Sequence, residues 1–393
     1  MTPSPFDPEL FARLVEIRRD LHRHPELAFA ERRTAERVGT ALDELGIAHR
    51  RVAQTGVVAE LPGPEGIGVV ALRADLDALP VTEETGLPFA SVHEGVMHAC
   101  GHDGHTAMLL GAARHLADSR NFDGVVNFIF QPAEEGQGGA LAMIEDRLFE
   151  RFPCQAIFGM HNRPSLPVGR FAVRAGPMMA GGAFFDIDIT GRGAHGARPE
   201  TGVDPIMVAS HVAGLLQTIV SRNVSPVDTA VLSVTQFHAG DAYNVIPQTA
   251  RLSGTVRAFS RELMHLVRDN MTRIAQGVAA GMGAQATVDF RINFAPTVND
   301  PAEAEFAAAI CAELVGEAHV ERDPPLIMAS EDFSFMLEQV PGCYLNLGNG
   351  PASGEEGIGG CEVHNPAYDF NDAALPYGAA FFVRLVEKRL APH

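Results

Sequence analysis

The densest chemistry-bearing stretch of the chain is His98-Ala-Cys100-Gly-His102-Asp-Gly-His105, in which imidazole and thiol donors recur at short spacing. Such Cys/His sets suit zinc-class cations. A lone Cys-x-His pair would more often cap a helix, but complementary donors recur at comparable places further along. One set is Gln131-Pro-Ala-Glu134-Glu135-Gly, directly after the apolar run 125–130; another is His161, directly after the run 156–160. Neighbouring carboxylates on a turn point in different directions, so one can bind a cation while the other handles a proton. A solvated acidic turn is the plainer alternative. His364, in Cys361-Glu-Val-His-Asn-Pro, follows a fourth run at 343–347 and is a candidate to complete the set.

Donors on separate loops converge if those loops leave the carboxyl ends of strands in an open α/β sheet, where ligands bind. The chain has that rhythm. Apolar periodicity predicts helices over 8–24 and 32–46, strands over 57–61, 69–72, 125–130 and 156–160, and a helix from near Gly104 through Leu116. The fold class that follows is α/β with a mainly parallel sheet. Near residue 180 the pattern changes. Phe184 to Ile189 alternates with period two, Asp204-Pro205 opens a helix to about Ser221, and strands at 229–237 and 248–257, a helix at 261–280 and a strand at 285–292 follow. This β-α-β-β-α-β order is the ferredoxin-like α+β arrangement. Helices near 301–316 and 332–339, a strand at 343–347 and a closing helix at 371–390 then resume the α/β pattern. The boundaries predicted are 1–179 with 294–393 for a metal-binding catalytic domain, and 180–293 for an inserted domain.

Composition narrows the function classes. At 393 residues the chain can bury two cores. With 30 Lys+Arg against 49 Asp+Glu the net charge is −19, and no basic stripe is segregated, which argues against nucleic acid as a partner. No apolar run approaches a bilayer span, and the opening residues carry neither a basic nor an apolar leader pattern, so no membrane association is expected. Five cysteines, an odd number spread through a long chain, suit a reducing compartment and a cytoplasmic location.

At this point the sequence resembles the metallo-aminoacylases of the hippurate hydrolase and auxin-conjugate amidohydrolase group, within the two-metal aminopeptidase and deacylase family. The resemblance runs nearly end to end. It is carried by the block from Arg18 to Leu27, Arg73-Ala-Asp-Leu-Asp-Ala-Leu-Pro80, Cys100-Gly-His-Asp-Gly-His105, Gln131-Pro-Ala-Glu-Glu135, Gly159-Met-His161, Gly191 to Pro199, Asn244-Val-Ile-Pro247, Gly254-Thr-Val-Arg257, Ser330-Glu-Asp-Phe and His364-Asn-Pro.

The resemblance implies a site for two divalent cations held by Cys100, His102, Glu135, His161 and His364, with Glu134 as general base. Manganese, zinc, cobalt and nickel all remain open as the metal. Where the larger family carries His-x-Asp, this chain is read as having Arg73-Ala-Asp75, which leaves Asp75 to orient a ligand. His195 and Asn244 are implied to reach the substrate and the developing oxyanion, and Arg257 to grip a substrate carboxylate. Met178 and Met179 are candidates for an acyl pocket, although plain core is the commoner role, and His22 and His24 are read as structural. The implied activity is hydrolysis of small N-acyl-L-amino acids of acetyl, benzoyl or indole-acetyl type. A dipeptidase or N-carbamoyl-amino-acid hydrolase is the alternative on the same site, and a non-catalytic metal-binding protein is the remoter one. The inserted domain is implied to act as a lid and to form a homodimer.

Overall fold

Val, Ile and Phe runs pack best where both faces of a strand are covered, and this chain places them in such positions. The computed structural model describes residues 8–351 and 360–392; residues 1–7 of the opening segment and 352–359 of the glycine-rich loop before His364 lie outside the described residues. Two helices come first, α1 (Pro8–Arg23) and α2 (Arg32–Glu44), followed by strands β1 (Ala48–Val52), β2 (Gly56–Pro62) and β3 (Val69–Asp75). Helix α3 (His102–Ser119) leads to β4 (Val125–Gln131), and β5 spans Ala156–Pro167. In the eight-stranded sheet the order is β1, β2, β4, β3, β5, then the strands Gly342–Gly350, Phe171–Ala172 and Val320–Glu321. The central strands β4, β3, β5 and Gly342–Gly350 run parallel, and β1 and β2 add an antiparallel edge. Helix α3 is buried over most of its length, with polar His102, Asp103, His105 and Thr106 in its first turns and the apolar run Ala107 to Leu110 behind them.

The chain divides into two compact units. The smaller comprises Pro177–Thr297 and Leu326–Glu331, and the larger holds the rest. The sequence boundaries had left 326–331 with the catalytic domain. Backbone pairing accounts for the difference: Ile327 donates to the Met178 carbonyl at 3.0 Å, and Ala180 donates to the Ile327 carbonyl at 2.9 Å. The smaller unit has an antiparallel four-stranded sheet in the order Ala230–Ala239, Thr249–Ala258, Gly181–Thr190, Gln285–Phe294. Its inward residues Phe185, Ile187 and Ile189 form a separate core with Val212 and Leu216 of the helix Pro205–Thr218 and Val267 and Met271 of the helix Arg261–Gly281. Among the described residues no helix is long and apolar enough to cross a membrane.

Candidate metal centre

Loops leaving the sheet of the larger unit gather the predicted donors. Cys100 precedes α3, and His102 is its first residue. Between them Gly101 adopts φ +90°, and a Cβ there would fall 2.3 Å from the Asn162 amide nitrogen and 2.6 Å from the Tyr368 hydroxyl. Only glycine lets the backbone reverse so close to those groups. Glu134 and Glu135 follow the end of β4, behind Ala133, which is held at φ +53°. His364 is likewise left-handed, at φ +67°, and is pinned by its amide donating to the Ala99 carbonyl at 2.7 Å. Strained non-glycine backbone is retained only where its surroundings over-determine it.

Three overlapping groups of donor atoms, each within 4.8 Å, are Cys100–His102–His161, Cys100–Glu135–His364 and His102–Glu134–Glu135. The Cys100 Sγ lies 3.3 Å from His161 Nε2, and His364 Nε2 lies 3.2 Å from Glu135 Oε1. The ring orientations are set from behind. His102 Nδ1 donates to the Asp77 carbonyl at 2.9 Å and lies 3.2 Å from its carboxylate, while His161 Nδ1 donates to the Asn162 carbonyl at 2.6 Å. Both rings therefore turn Nε2 toward the other donors. His102 Nε2 is buried without a hydrogen-bond partner, and a buried polar atom left unpaired is costly unless a ligand such as a cation takes it up.

The field of the pocket calls for positive charge. Burial opposes charging His102, but Asp75, Asp77 and Glu135 outweigh it and raise its pKa to about 10. Burial, reinforced by Glu135, Glu134 and Asp75, holds the Cys100 thiol well above its usual range, so deprotonating it requires a compensating cation. Burial, with His105 next, lowers His161 to about 3 and keeps its ring neutral. A thiol, three imidazoles and a carboxylate beside a second carboxylate form a donor set that fits a pair of divalent metals.

Asp75 is fully buried, yet its bonds go to Arg73 Nη1 at 2.8 Å and His105 Nδ1 at 2.7 Å, and it approaches His102 Nε2 only to 3.8 Å. The side chain that meets His102 Nδ1 is that of Asp77, in the same Arg73–Pro80 block, a residue that the sequence analysis does not single out. Asp77 also accepts from the Glu135 amide at 2.9 Å. His22, read as structural, donates to Asp103 beside His102 at 2.9 Å. In the smaller unit, His195 and Asn244 are brought together: the strand Ala194–His195 pairs with Val245–Ile246, and Gly196 donates to the Asn244 carbonyl at 2.7 Å. Arg257 is half-buried, its Nη1 donating to the Thr255 hydroxyl at 2.6 Å. Met178 and Met179 are buried.

Comparison with known proteins matches residues 71–388 to the family described as Peptidase family M20/M25/M40. The chain is 42% identical over 384 residues to the N-acetylcysteine deacetylase of Bacillus subtilis, covering 96% of this chain and 97% of that one. It is 42% identical over 383 residues to the hippurate hydrolase of Campylobacter jejuni, covering 97% and 98%. The crystal structure of a Bacillus subtilis dinuclear metal-binding peptidase of the M20 family is similar with a TM-score of 0.84 at 38% identity, over 98% of this chain and 99% of that chain.

Proposed function

The chain belongs to peptidase family M20/M25/M40, and on that footing we propose that it is a metal-dependent amidohydrolase cleaving the amide bond of N-acyl-L-amino acids. The observation that carries this reading is the overlap of the three donor groups, which gathers Cys100, His102, Glu135, His161 and His364 around Glu134. In this reading those five residues hold two divalent cations, with manganese, zinc, cobalt and nickel as the candidate metals. When bound, such cations supply Lewis acidity toward an amide carbonyl and toward water. Glu134 takes the proton of the attacking water and delivers it to the leaving nitrogen, because an amine anion is a poor leaving group. Asp77 and the Asn162 carbonyl keep His102 and His161 in the tautomer that presents Nε2. His195 and Asn244, brought together in the smaller unit, donate in this reading toward the developing oxyanion. Arg257 holds the substrate carboxylate through its planar fork.

The same proposal includes a homodimer formed through the smaller unit. Its outer strand Ala230–Ala239 lies at the end of the sheet with Val231 and Phe237 exposed, and the helix Pro205–Thr218 exposes Met207 and Leu215. Sedimentation at micromolar concentration checks it. A cytoplasmic location accords with five free cysteines.

The deciding experiment strips the protein of metal, reloads it with manganese, zinc or cobalt, and assays N-acetyl-L-cysteine, hippurate, an indole-acetyl amino acid, an N-carbamoyl amino acid and a dipeptide. Metal-dependent release of amino acid that falls at least about 100-fold in Glu134→Ala is the expected result. Preference for the dipeptide or the carbamoyl compound moves the assignment to those hydrolases. Metal binding with no turnover of any compound leaves a metal-binding protein.

A further inference from the structure

Behind Glu134 lies a buried polar network that the reaction above leaves unexplained. Arg73, fully buried on β3, donates from Nε to Gln131 Oε1 at 2.9 Å and from Nη1 to Asp75 at 2.8 Å, while its Nη2 lies 3.5 Å from Asp332 Oδ1. Gln131 closes β4, shortly before Glu134. Its Nε2 donates to Asp332 Oδ1 at 2.7 Å, and the other Asp332 oxygen accepts from the Ala140 amide at 2.9 Å. The backbone amide of Asp332 in turn donates to Glu134 Oε1 at 3.4 Å.

The directions of these bonds leave no choice of partner. A guanidinium only donates, so Gln131 must offer Oε1 to Arg73 and turn its NH2 group to residue 332. The Ala140 amide also only donates. Residue 332 is therefore required to accept at both side-chain oxygens, which a carboxylate does and a carboxamide does not. Buried carboxylates are costly, and an apolar core of the same volume would hold this corner of the fold at least as well. What the network adds is the last contact, on the group read as the base.

We propose that Asp332, braced by Gln131, Arg73 and the Ala140 amide, is a positioning residue that fixes the carboxylate of Glu134 for proton transfer. The inference rests on Glu134 being the base, and the test separates the two claims. A displacement of about 1 Å in a catalytic group can cost on the order of 100-fold in rate. Asp332→Asn places an NH2 group against either the Gln131 NH2 or the Ala140 N–H and shifts the segment. The exchange pair Gln131→Glu with Asp332→Asn restores complementarity: Glu at 131 accepts from Arg73 and from the new carboxamide, whose oxygen accepts from Ala140.

The variants are compared with wild type and Glu134→Gln as manganese-loaded enzyme on hippurate and N-acetyl-L-cysteine, recording kcat, KM, metal per subunit and Tm. For Asp332→Asn the expected result is a kcat reduced about 10- to 100-fold, with KM and metal content close to wild type and a Tm lowered by the unpaired buried donor while the protein stays folded. The exchange pair is expected to recover kcat to within about fivefold of wild type. Substantial activity in Glu134→Gln would sink the reading of the base itself. An inactive Glu134→Gln alongside an Asp332→Asn within about twofold of wild type overturns only the positioning role. Activity lost strictly in step with metal or fold also overturns it. Should Asp332→Asn not fold, the exchange pair decides, and a folded, metal-loaded but inactive pair counts against the proposal.

Discussion

At the scale of single residues, most of the candidate centre is legible because its chemistry is written in residue types. Cys100, His102, Glu134, Glu135 and His161 follow strand-sized apolar runs or open a helix, and donors of the right kind at such places are readable without coordinates. Asp77 was not, because nothing in its local pattern separates it from Asp75: both are acidic, both follow the apolar run 69–72, and only the turn beyond β3 decides which one reaches His102 Nδ1. Asp75 ends the strand and meets His105 and Arg73, whereas Asp77, past the strand end, meets His102 Nδ1 and the Glu135 amide. This assignment carries a prediction. Asp77→Ala removes the carboxylate beside His102 Nδ1, leaving the backbone carbonyl of residue 77 as its acceptor, and removes the acceptor of the Glu135 amide, so metal affinity should fall by about 10-fold, the low end of the usual cost of losing a group that orients a ligand. Competition with a chromophoric chelator measures it. Unchanged affinity would mean that the backbone carbonyl of residue 77 is sufficient to hold His102.

At the scale of elements, the same contrast holds between what periodicity shows and what pairing decides. Helices α1, α2 and α3 announce themselves by apolar spacing, and the parallel core strands by β-branched runs. The extension of β5 to Pro167 and the short strand Val320–Glu321 do not, since each is ordered by the partner beside it. The tie between α1 and α3 is another contact that spacing conceals. On α1, Leu14, Ile17 and Leu21 face the core, and His22 beside them donates to Asp103 on α3 at 2.9 Å and to Glu83 at 3.3 Å. Burial by itself would lower the His22 pKa, but hydrogen bonds to Asp103 and Glu83 outweigh it and raise the value from 6.5 to about 9. A raised folded-state value means that the charged ring stabilises the fold fully below about 6.5 and loses that contribution as pH climbs through about 9. The difference in unfolding free energy between wild type and His22→Gln, read from urea titrations, should accordingly be largest at acidic to neutral pH and narrow through that window, with a full value on the order of 3 kcal/mol. A difference that does not vary with pH would show that His22 sits there neutral.

At the scale of the whole molecule, the two units differ in what a metal can do for them. All five candidate ligands, with Glu134 and Asp77, belong to the larger unit, and the smaller unit has a core of its own around Phe185, Ile187 and Val212. The pocket of the larger unit concentrates carboxylates around buried imidazoles and raises the Cys100 thiol, so its metal-free form carries electrostatic strain that a cation relieves. A ligand that binds only the folded state stabilises it by about 2.7 kcal/mol at a free concentration 100 times Kd. For a domain of about 150–250 residues each kcal/mol moves the midpoint by about 2–4 °C, so saturating metal should raise the unfolding temperature of the larger unit by about 5–10 °C. The smaller unit should unfold at the same temperature with and without chelator. Hydrogen exchange resolves the two: on metal removal, amides of β4 and α3 should lose protection while those of the strand Thr249–Ala258 keep theirs. Equal loss in both would contradict a ligand set confined to the larger unit.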